Sequence, residues 1–566
     1  MFRILLIITC IVPLSCSSAP AAEKADASTD SAANDAGVHN DNGNDPDGLR
    51  AFDSDHVLKV EITINEKDWE TLCNDGRQWS DVLVCEQGPR LFEYEHFKAR
   101  VQIDTATYED VDIRKKGFMG SLSLVRPSLK LRFDMHVPGQ LFRGEKRLTL
   151  NNNRQDPALV RQCITYELFA DAGLIAPRCS LAHVYVNGKD LGIYTNVESI
   201  KKPFLRQHFD DDEGNLYEGQ IADFTPDLVD VFEVKTNKET NDRSDLNGIV
   251  QALEADDDEV AAALEGYMDM DYFLDYWIME SMTAHWDSYT GNSNNYYVYH
   301  DPDSDLFYFI PWGTDGALDP GGGHLSEDQP VSVLARGHIA SRLYSIPGYR
   351  DVYFDRMREL LDAVWIEDEV LARLNHYEKL TSGYVSTDGL KRIRDIVLER
   401  RNNIISEIDS GGMEWTIEPR TDECIEASFE PVSGSFNTQW ATIDYSPSDK
   451  NPGEIKFTYD GVIIPFEKTY ATAGKPREYG SDSPPVIRLI GVTAKEEVYV
   501  IQLYIEEELF SPGAEIPFHG FADYGIVIQS PETLLGRVAD GIIRLDQAGM
   551  DSMAPVSGSF EAMFIH

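Results

Sequence analysis

The hydrophobic pattern of this chain changes at Gly411-Gly412, and the change limits the folds that each side can adopt. Before it, residues 51–410 open with strand-like alternation and end in helical spacing, which dominates residues 339–409. After it, residues 411–566 contain short apolar runs separated by Pro, Gly, Asn and Ser. We therefore predict an α+β domain over residues 51–410, followed by an all-β, sandwich-like domain over residues 411–566.

The first residues have the composition of an export signal. Met1-Phe2-Arg3 is a short basic start, residues 4–14 are apolar, and small residues follow. Pro13-Leu14-Ser15-Cys16 resembles a bacterial lipobox, although Pro13 departs from the usual aliphatic residue. We predict that residues 1–16 are a signal peptide with a lipobox and that Cys16 is lipidated. The alternative is ordinary cleavage a few residues later, with Cys16 lost.

Composition limits what the protein binds and where it acts. Residues 17–50 are mostly Ala, Ser, Asp, Asn and Gly, which is typical of a disordered acidic linker. The 50 Lys and Arg against 97 Asp and Glu give a net charge of −47, which argues against nucleic acid as a partner. After the signal, no apolar run approaches the ~18 residues that cross a bilayer. We therefore expect an outer-membrane or cell-surface lipoprotein attached to the membrane only through Cys16, or otherwise a periplasmic or secreted protein.

Five cysteines lie in the body of the chain, and an exported protein can keep disulfides. Cys73 and Cys85 are close enough in sequence to close a small loop, and Cys163 and Cys179 flank a predicted helix, with Cys424 left over. No Cys-x-x-Cys spacing or His cluster accompanies them, so we do not expect a zinc site.

Local signals predict the elements around the polar motifs. Asp156-Pro157 starts a helix predicted over residues 159–172, with Gly173 at its carboxy-terminal cap. Asn187-Gly188 is the two-residue turn of a predicted hairpin. A second predicted hairpin, in which the polar turn 301–305 joins two aromatic strands, follows an apolar helix and an asparagine-rich loop.

Nine short motifs, in a fixed order, resemble those of the CotH kinase family, which is named for a spore-coat protein. They are Arg126-Pro127-Ser128-Leu129-Lys130-Leu131-Arg132-Phe133, Leu148-Thr149-Leu150-Asn151-Asn152, Ala172-Gly173-Leu174 with Ala176-Pro177-Arg178, Val184-Tyr185-Val186-Asn187-Gly188, Gly214-Asn215-Leu216-Tyr217, Lys235-Thr236-Asn237, Trp286-Asp287-Ser288-Tyr289, Asn294-Asn295-Tyr296-Tyr297 and Ile310-Pro311-Trp312. The resemblance covers roughly residues 55–410. It implies a minimal, atypical protein-kinase-like fold that uses ATP with Mg²⁺ or Mn²⁺ and acts on a protein substrate.

The residue types also suit phosphoryl transfer, which depends on positioning and on neutralising phosphate charge. Gly117, Gly120 and Ser121, in a turn between strands, can bring backbone N–H groups close to phosphate oxygens, or can form a plain hairpin turn. Lys130 alternates with apolar residues on the next strand, where a kinase-like fold places the lysine that contacts the α- and β-phosphates. We take these four residues as candidates for binding ATP.

The phosphate-binding lysine has rivals, and two glutamates compete to orient it. Arg126 and Arg132, near Lys130 in sequence, compete for its role. A kinase lysine normally pairs with a glutamate, for which Glu167 and Glu198 are the candidates. The resemblance favours Glu198, because an acidic residue recurs there in the family.

Asp287 lies between an apolar helix and an asparagine-rich loop, which is the context of the kinase aspartate that accepts the proton of the substrate hydroxyl. We predict that Asp287 is the catalytic base. Asn292 follows at the interval found in kinase catalytic loops, whereas Asn295 directly precedes the next strand, as a kinase metal ligand does. Both remain candidate metal ligands.

Asp315 follows the second aromatic strand and precedes a glycine, like the metal-binding aspartate of the kinase Asp-Phe-Gly motif. Many CotH family members carry Asp-x-Asp here, and Gly313 stands where the first aspartate would be. This replacement removes one acidic ligand, which can weaken metal binding. We predict that Asp315 binds Mg²⁺ or Mn²⁺, since both are hard cations suited to oxygen ligands.

Three functions are compatible with these features. The first is an exported kinase that transfers the γ-phosphoryl of ATP to Ser or Thr of surface or periplasmic proteins. The second is a catalytically weak or inactive surface adhesin, motivated by Gly313 and by a carboxy-terminal domain able to bind glycan or protein. The third is transfer of another part of the nucleotide, such as AMP. The presence of Lys130, Asp287, Asn295 and Asp315 together favours the kinase.

Overall fold

The structure is a computed structural model that describes residues 50–76, 92–117, 121–319, 329–421, 429–443, 451, 453–476, 484–517, 526–529 and 533–565. The predicted signal peptide and nearly all of the predicted linker lie outside these ranges, as do Cys85, Gly120 and Cys424. No helix in the described ranges is both long enough and apolar enough to cross a membrane.

The first part of the described chain forms a closed barrel with strand order β1-β2-β3-β4-β5-β7-β6. Its strands are β1 (Val57–Thr63), β2 (Phe97–Ile103), β3 (Ala106–Lys116), β4 (Ser128–Arg132), β5 (Arg147–Asn151), β6 (Cys179–Val186) and β7 (Lys189–Val197). Apolar side chains that alternate along these strands, such as Ile113, Leu129 and Leu131, fill the interior. Helix α1 (Glu66–Asn74), capped by the Asn65 side chain, follows β1.

The predicted helix after Asp156-Pro157 is confirmed as α2 (Arg161–Asp171). It begins later than predicted because the Asp156 carboxylate first forms a turn, accepting from the Ala158 N–H at 3.0 Å and from the Arg161 N–H at 2.7 Å. The predicted hairpin is confirmed as β6–β7, with positive φ at both Asn187 and Gly188. A disulfide between Cys163 and Cys179 links α2 to β6.

A second, four-stranded sheet has the order β11-β10-β8-β9. Its strands are β8 (Asn215–Gly219), β9 (Glu233–Val234), β10 (Tyr296–Asp301) and β11 (Leu306–Pro311), the last two forming the hairpin predicted around residues 301–305. The helices between β7 and β10 are α3 (Lys202–His208), α4 (Asn247–Ala252), α5 (Val260–Leu264), α6 (Met270–Met282) and α7 (Tyr289–Asn292). Helix α6, with the fully buried Trp277, lies in the largest apolar core.

The helical spacing predicted over residues 339–409 is confirmed as four helices. They are α8 (His338–Tyr344), α9 (Pro347–Ala363), α10 (Glu367–Leu380) and α11 (Thr387–Asp409). Their apolar faces join the same core as α6, so the barrel, the second sheet and the helices together hold the loops between them in place.

The carboxy-terminal part contains strands β12 (Phe429–Gln439), β13 (Glu454–Tyr459), β14 (Val462–Ile463), β15 (Phe466–Gly474), β16 (Val486–Thr493), β17 (Val498–Tyr504), β18 (Glu515–Pro517), β19 (Ile526–Gln529), β20 (Thr533–Ala548) and β21 (Pro555–Ile565). Within the described ranges, hydrogen bonds connect them in one ten-stranded sheet rather than the two sheets of the predicted sandwich. Trp440, after β12, forms a β-bridge with Ala473 in β15, which lies at the other end of the strand order. The sheet therefore curls back on itself.

One carboxylate joins this sheet to the barrel. Glu506, after β17, accepts the Leu124 N–H at 3.1 Å and lies 3.2 Å from the Arg154 guanidinium. Leu124 belongs to the segment that connects β3 to β4, so the carboxy-terminal part directly contacts the connection that carries the predicted phosphate loop.

Candidate functional site

The candidate site lies between the outer face of the barrel and the second sheet. Because side chains alternate along a strand, Arg114 and Lys116 on β3 and Lys130 on β4 project away from the barrel core. Arg114 is paired directly with Lys130 across the two strands. The Lys116 ammonium lies 6.0 Å from the ring centre of Trp312, which follows β11 of the second sheet.

Positive charge is concentrated on this face. Burial lowers the pKa values of Arg114, Lys116 and Lys130, and the neighbouring Arg114 charge lowers that of Lys130 further. The positive charge of Lys235, after β9, also lowers the pKa of Lys130, but Lys235 itself forms ion pairs with Glu218 and Glu233. Among described residues, Arg114, Lys116 and Lys130 have no carboxylate partner at ion-pair distance, which is the arrangement expected of a phosphate-binding surface.

The structure corrects the predicted glutamate partner of Lys130. The Arg178 guanidinium holds the Glu198 carboxylate, donating from Nε to Oε2 at 2.9 Å. Glu167 accepts from the Tyr377 hydroxyl instead. The carboxylate whose negative charge raises the pKa of Lys130 is Glu218 in β8, a strand that lies far from β4 in sequence. Glu218 is therefore the orienting candidate, and Glu198 is part of a separate ion pair.

The two rivals of Lys130 have other partners. Arg126 donates to the Ile193 carbonyl at 2.6 Å, and Arg132 donates to Asp134 at 2.9 Å. Arg114 and Lys116 were both missed by sequence reasoning, although their alternation just before Gly117 was a visible signal.

The predicted glycine loop falls in the connection between β3 and β4, and Gly120 lies outside the described ranges. Gly117 has φ +102°, and a Cβ added there would lie 2.4 Å from the Ser121 hydroxyl oxygen. The positive φ and the nearby Ser121 side chain therefore favour glycine at position 117. The Ser121 carbonyl is held by the Asn152 side chain at 2.9 Å.

Three asparagine amides hold the Asp287 carboxylate. Asn292 and Asn294 donate to Oδ1 at 2.8 and 3.1 Å, and Asn295 donates to Oδ2 at 2.7 Å. Burial raises the pKa of Asp287 to about 6, with a further contribution from the Asp315 charge. A carboxylate fixed in orientation, with a pKa nearer to neutrality, suits general base catalysis.

Asn292 does not fit the metal role predicted from its spacing. Its Oδ1, the atom that would bind a cation, accepts hydrogen bonds from Arg336 and Arg420, each at 2.9 Å. Two guanidinium groups at this oxygen would repel Mg²⁺. Asn295 differs, because only its Nδ2 is used to hold Asp287.

Asp315 lies in a short 3₁₀ turn, Thr314–Gly316, directly after β11. Burial raises its pKa, whereas the positive charge of Lys116 and a hydrogen bond from Gln162 oppose that increase. Burial raises the pKa values of Asp156 and Asp287 to about 6 each, and the negative charge of Asp315 contributes to both increases. The carboxylates thus repel one another across the site, and a cation between them would relieve the repulsion.

Gly313 adopts the left-handed conformation, with φ +55°. A Cβ at this position would lie 2.6 Å from Asn295 Oδ1. The Asn295 amide therefore occupies the space that a side chain at residue 313 would need. The aspartate of the family pattern would not fit at this position unless Asn295 moved.

We expect Gly313→Ala to destabilise the fold by about 1–3 kcal/mol, because alanine must adopt a strained φ and push Asn295 aside. The free energy of unfolding, from denaturant titration, measures the effect. Gly348→Ala is the matched control, since a Cβ at Gly348 would meet nothing within 4 Å. Equal stability of the two variants would contradict this view of the turn.

The oxygen atoms of the site fit a hard divalent cation in part. The described residues contain no group of three or more His, Cys, Asp or Glu that holds a metal by itself. Asp315, Asp287 and the Asn295 Oδ1 are hard oxygen donors of the kind that Mg²⁺ and Mn²⁺ prefer. A kinase metal takes its remaining ligands from phosphate and water, so this smaller set is compatible with a metal that arrives with ATP.

Two buried acids that sequence reasoning missed support the catalytic loop. Asp223 accepts from Ser293 at 2.8 Å and from the His338 N–H at 2.9 Å. Glu280, on α6, accepts the Thr290 N–H at 2.8 Å, and burial raises its pKa to about 7. A charged residue within the apolar run of α6 was the available signal for Glu280.

Comparison with known proteins identifies the family. Residues 113–393 match the family model described as CotH kinase protein, beginning within β3 and ending within α11. The chain is 23% identical over 316 residues to the inner spore coat protein H of Bacillus subtilis (strain 168), covering 53% of this chain and 84% of that protein. It is 21% identical over 329 residues to Invasin CotH2 of Rhizopus delemar, covering 52% of each chain.

Among solved structures, the chain is similar to the Helicobacter pylori proinflammatory kinase CtkA at 10% identity and a TM-score of 0.29, covering 49% of this chain and 91% of that one. The matched residues 113–393 contain Lys130, Asp287 and Asp315, the candidates placed together above. Through this domain, the chain belongs to the CotH kinase family.

Proposed function

We propose that this protein is an atypical kinase that transfers the γ-phosphoryl of ATP to Ser or Thr of a protein. The observation that carries the proposal is the position of Asp287. Its carboxylate is held by three asparagine amides, interacts electrostatically with Asp315, and lies in the same site as a basic barrel face. Family membership supports the same reaction.

Each group has a role that follows from its chemistry. Arg114, Lys116 and Lys130 bind and neutralise phosphate oxygens, because no described carboxylate lies at ion-pair distance from them. Asp287 accepts the proton of the acceptor hydroxyl as that oxygen attacks phosphorus. Asp315 and Asn295 would hold Mg²⁺ or Mn²⁺, which supplies further neutralisation of phosphate charge when bound.

Labelled ATP distinguishes this reaction from its rivals. The full chain is incubated with Mg²⁺ or Mn²⁺, a generic protein acceptor, and ATP labelled at either the γ or the α phosphorus. We expect label on Ser or Thr from the γ position alone. Transfer from the α position would establish nucleotide transfer, and no transfer to any acceptor, including the protein's own hydroxyls, would count against the kinase.

We expect the kcat/KM of this reaction to depend on pH through Asp287. A general base must be ionised, and burial raises the Asp287 pKa from 3.8 to about 6. Activity should therefore be full above this pKa and fall about tenfold per pH unit below it. Initial rates from about pH 5 to about pH 8 measure the profile, with thermal stability followed over the same range. A profile that stays flat down to pH 5 would contradict the assignment.

A binding protein without turnover is the second candidate. Gly313 motivates it, because the family's first aspartate is missing, and the relative named as an invasin supports a surface role for that protein. Thermal unfolding with and without Mg²⁺ and ATP separates the candidates, since a ligand bound to the native state raises its stability. Stabilisation that requires both Mg²⁺ and ATP favours the kinase, and absence of any shift favours the adhesin.

We also propose that the protein is exported and attached to a membrane through a lipid on Cys16. The basic start, the apolar stretch and the lipobox-like Pro13-Leu14-Ser15-Cys16 support this location. Mass spectrometry of the amino-terminal peptide from membrane fractions tests it. A diacylated Cys16 is expected, and an unmodified amino terminus after Cys16 would rule lipidation out.

A further inference from the structure

Two arginines meet at the catalytic loop on a side that the proposed ATP site does not use. Arg336 Nη1 and Arg420 Nη2 each donate to Asn292 Oδ1 at 2.9 Å. Asn292 Nδ2 in turn donates to Asp287 Oδ1 at 2.8 Å. One amide therefore separates both guanidinium groups from the carboxylate of the proposed base.

Packing fixes Arg420 at this place. It belongs to the segment 410–421 that follows α11, and this segment lies against the kinase domain. The Tyr344 hydroxyl donates to the Met413 carbonyl at 2.8 Å, and Gln329 donates to Thr416 at 3.2 Å. Trp415 packs against the main apolar core. Arg336 is fixed by its backbone, whose N–H donates to the Thr290 carbonyl at 2.7 Å.

The two positive charges are only partly compensated. In the described part of the chain, neither arginine forms an ion pair, and the buried Nε of each has no hydrogen-bond partner. Burial lowers the pKa of both groups, and the Arg336 charge lowers that of Arg420 further, to about 10. The carboxylate of Asp223 acts on both charges and that of Asp287 on Arg420, but neither lies at ion-pair distance, so a bound anion would stabilise the two cations further.

The two carboxylate oxygens of Asp287 have different neighbours. Asn295 holds Oδ2 and faces Gly313, on the side of Asp315 and the proposed nucleotide. Asn292 and the arginines are on the Oδ1 side. If ATP occupies the Asp315 side, as proposed above, an anion bound beside Arg336 and Arg420 lies on the opposite side of Asp287, where the acceptor would enter.

We propose that Arg336 and Arg420 form a subsite that binds an anionic side chain of the protein acceptor, close to the Ser or Thr that is phosphorylated. The anion is a carboxylate of Asp or Glu or the phosphate of an already modified residue, since guanidinium groups bind both through paired N–H donors. This inference rests on the proposed kinase function and specifies its substrate class. The net charge of −47 disfavours acidic ligands in general, so a preference for them must come from this local cluster.

Peptide binding without ATP tests the subsite directly. Four fluorescent peptides share one sequence around a central Ser and carry Glu, phosphoserine, Gln or Lys at the flanking positions. Their affinities are measured by anisotropy for the full wild-type chain, Arg420→Gln and Arg336→Gln. Arg392→Gln, on the exposed face of α11, is the matched control.

We expect the Glu or the phosphoserine peptide to bind wild type at least about tenfold more tightly than the Gln peptide, and Arg420→Gln to abolish the difference. The stronger of the two peptides identifies the anion. If Arg336→Gln does not fold, Arg420→Gln alone carries the test, because its residue lies outside the helices. Equal affinities for all four peptides, a preference for Lys, or an unchanged preference in Arg420→Gln would overturn the proposal.

Phosphorylation of the same peptides separates this proposal from the function on which it rests. We expect Arg420→Gln to raise KM for the preferred anionic peptide about tenfold relative to its KM for the Gln peptide. Acid-selective binding that Arg420→Gln abolishes, without phosphoryl transfer by wild type, would support the subsite and contradict the kinase. Transfer without any preference for an anionic neighbour would support the kinase and contradict the subsite.

Discussion

Asp287→Asn is expected to lower the rate of phosphoryl transfer by about 10²–10⁴-fold while leaving the protein folded. Asparagine has the size of aspartate and keeps an oxygen for the amides of Asn292 and Asn294, so the loop loses only the hydrogen bond from Asn295 to Oδ2. It cannot take a proton from the acceptor hydroxyl. The measurement is the initial rate with γ-labelled ATP, together with the thermal midpoint of the variant.

Asp303→Asn is the control for Asp287→Asn. Asp303 is an exposed aspartate in the turn between β10 and β11, so its replacement should change neither rate nor stability. A rate for Asp287→Asn within about threefold of wild type would show that Asp287 is not the base, because general base catalysis contributes far more than that.

Asp223→Ala is expected to destabilise the protein by about 3 kcal/mol or more. The Asp223 carboxylate accepts from the Ser293 hydroxyl, the Tyr289 hydroxyl and the N–H groups of Phe224 and His338. Alanine would leave these buried donors without a partner. Because Ser293 and Tyr289 belong to the catalytic loop, transfer activity should fall as well.

Denaturant unfolding of Asp223→Ala beside Asp227→Ala measures this effect. Asp227 is exposed four residues later, and its replacement should change stability by no more than about 0.5 kcal/mol. If the two variants were equally stable, the buried carboxylate would not be what anchors the loop to α8.

Local chemistry made several elements predictable. The Asn187-Gly188 turn requires positive φ at both positions, and the helical spacing after Asp156-Pro157 predicts α2, although the helix begins only at Arg161. Lys130, Asp287 and Asp315 could be chosen as candidates from the sequence, because Lys130 and Asp287 lie in motifs of the family and Asp315 follows one within three residues. The site contains all three, although β4, α7 and the turn after β11 are far apart in sequence.

Partners across the fold were not predictable in the same way. Glu218 rather than Glu198 acts on Lys130 because the second sheet packs beside the barrel, a contact that no local pattern encodes. Asn292 has the spacing of a metal ligand, yet two arginines from distant segments occupy its oxygen. The single curled sheet also differs from the predicted sandwich, since short alternating strands are compatible with either arrangement.

The most direct test of the account is an experimental structure of the full chain with Mg²⁺ and a non-hydrolysable ATP analogue. We expect phosphate oxygens against Lys116 and Lys130, and a metal bound by Asp315 and Asn295, with Asp287 free to face an acceptor. A nucleotide bound elsewhere, or a metal on Asn292, would contradict it.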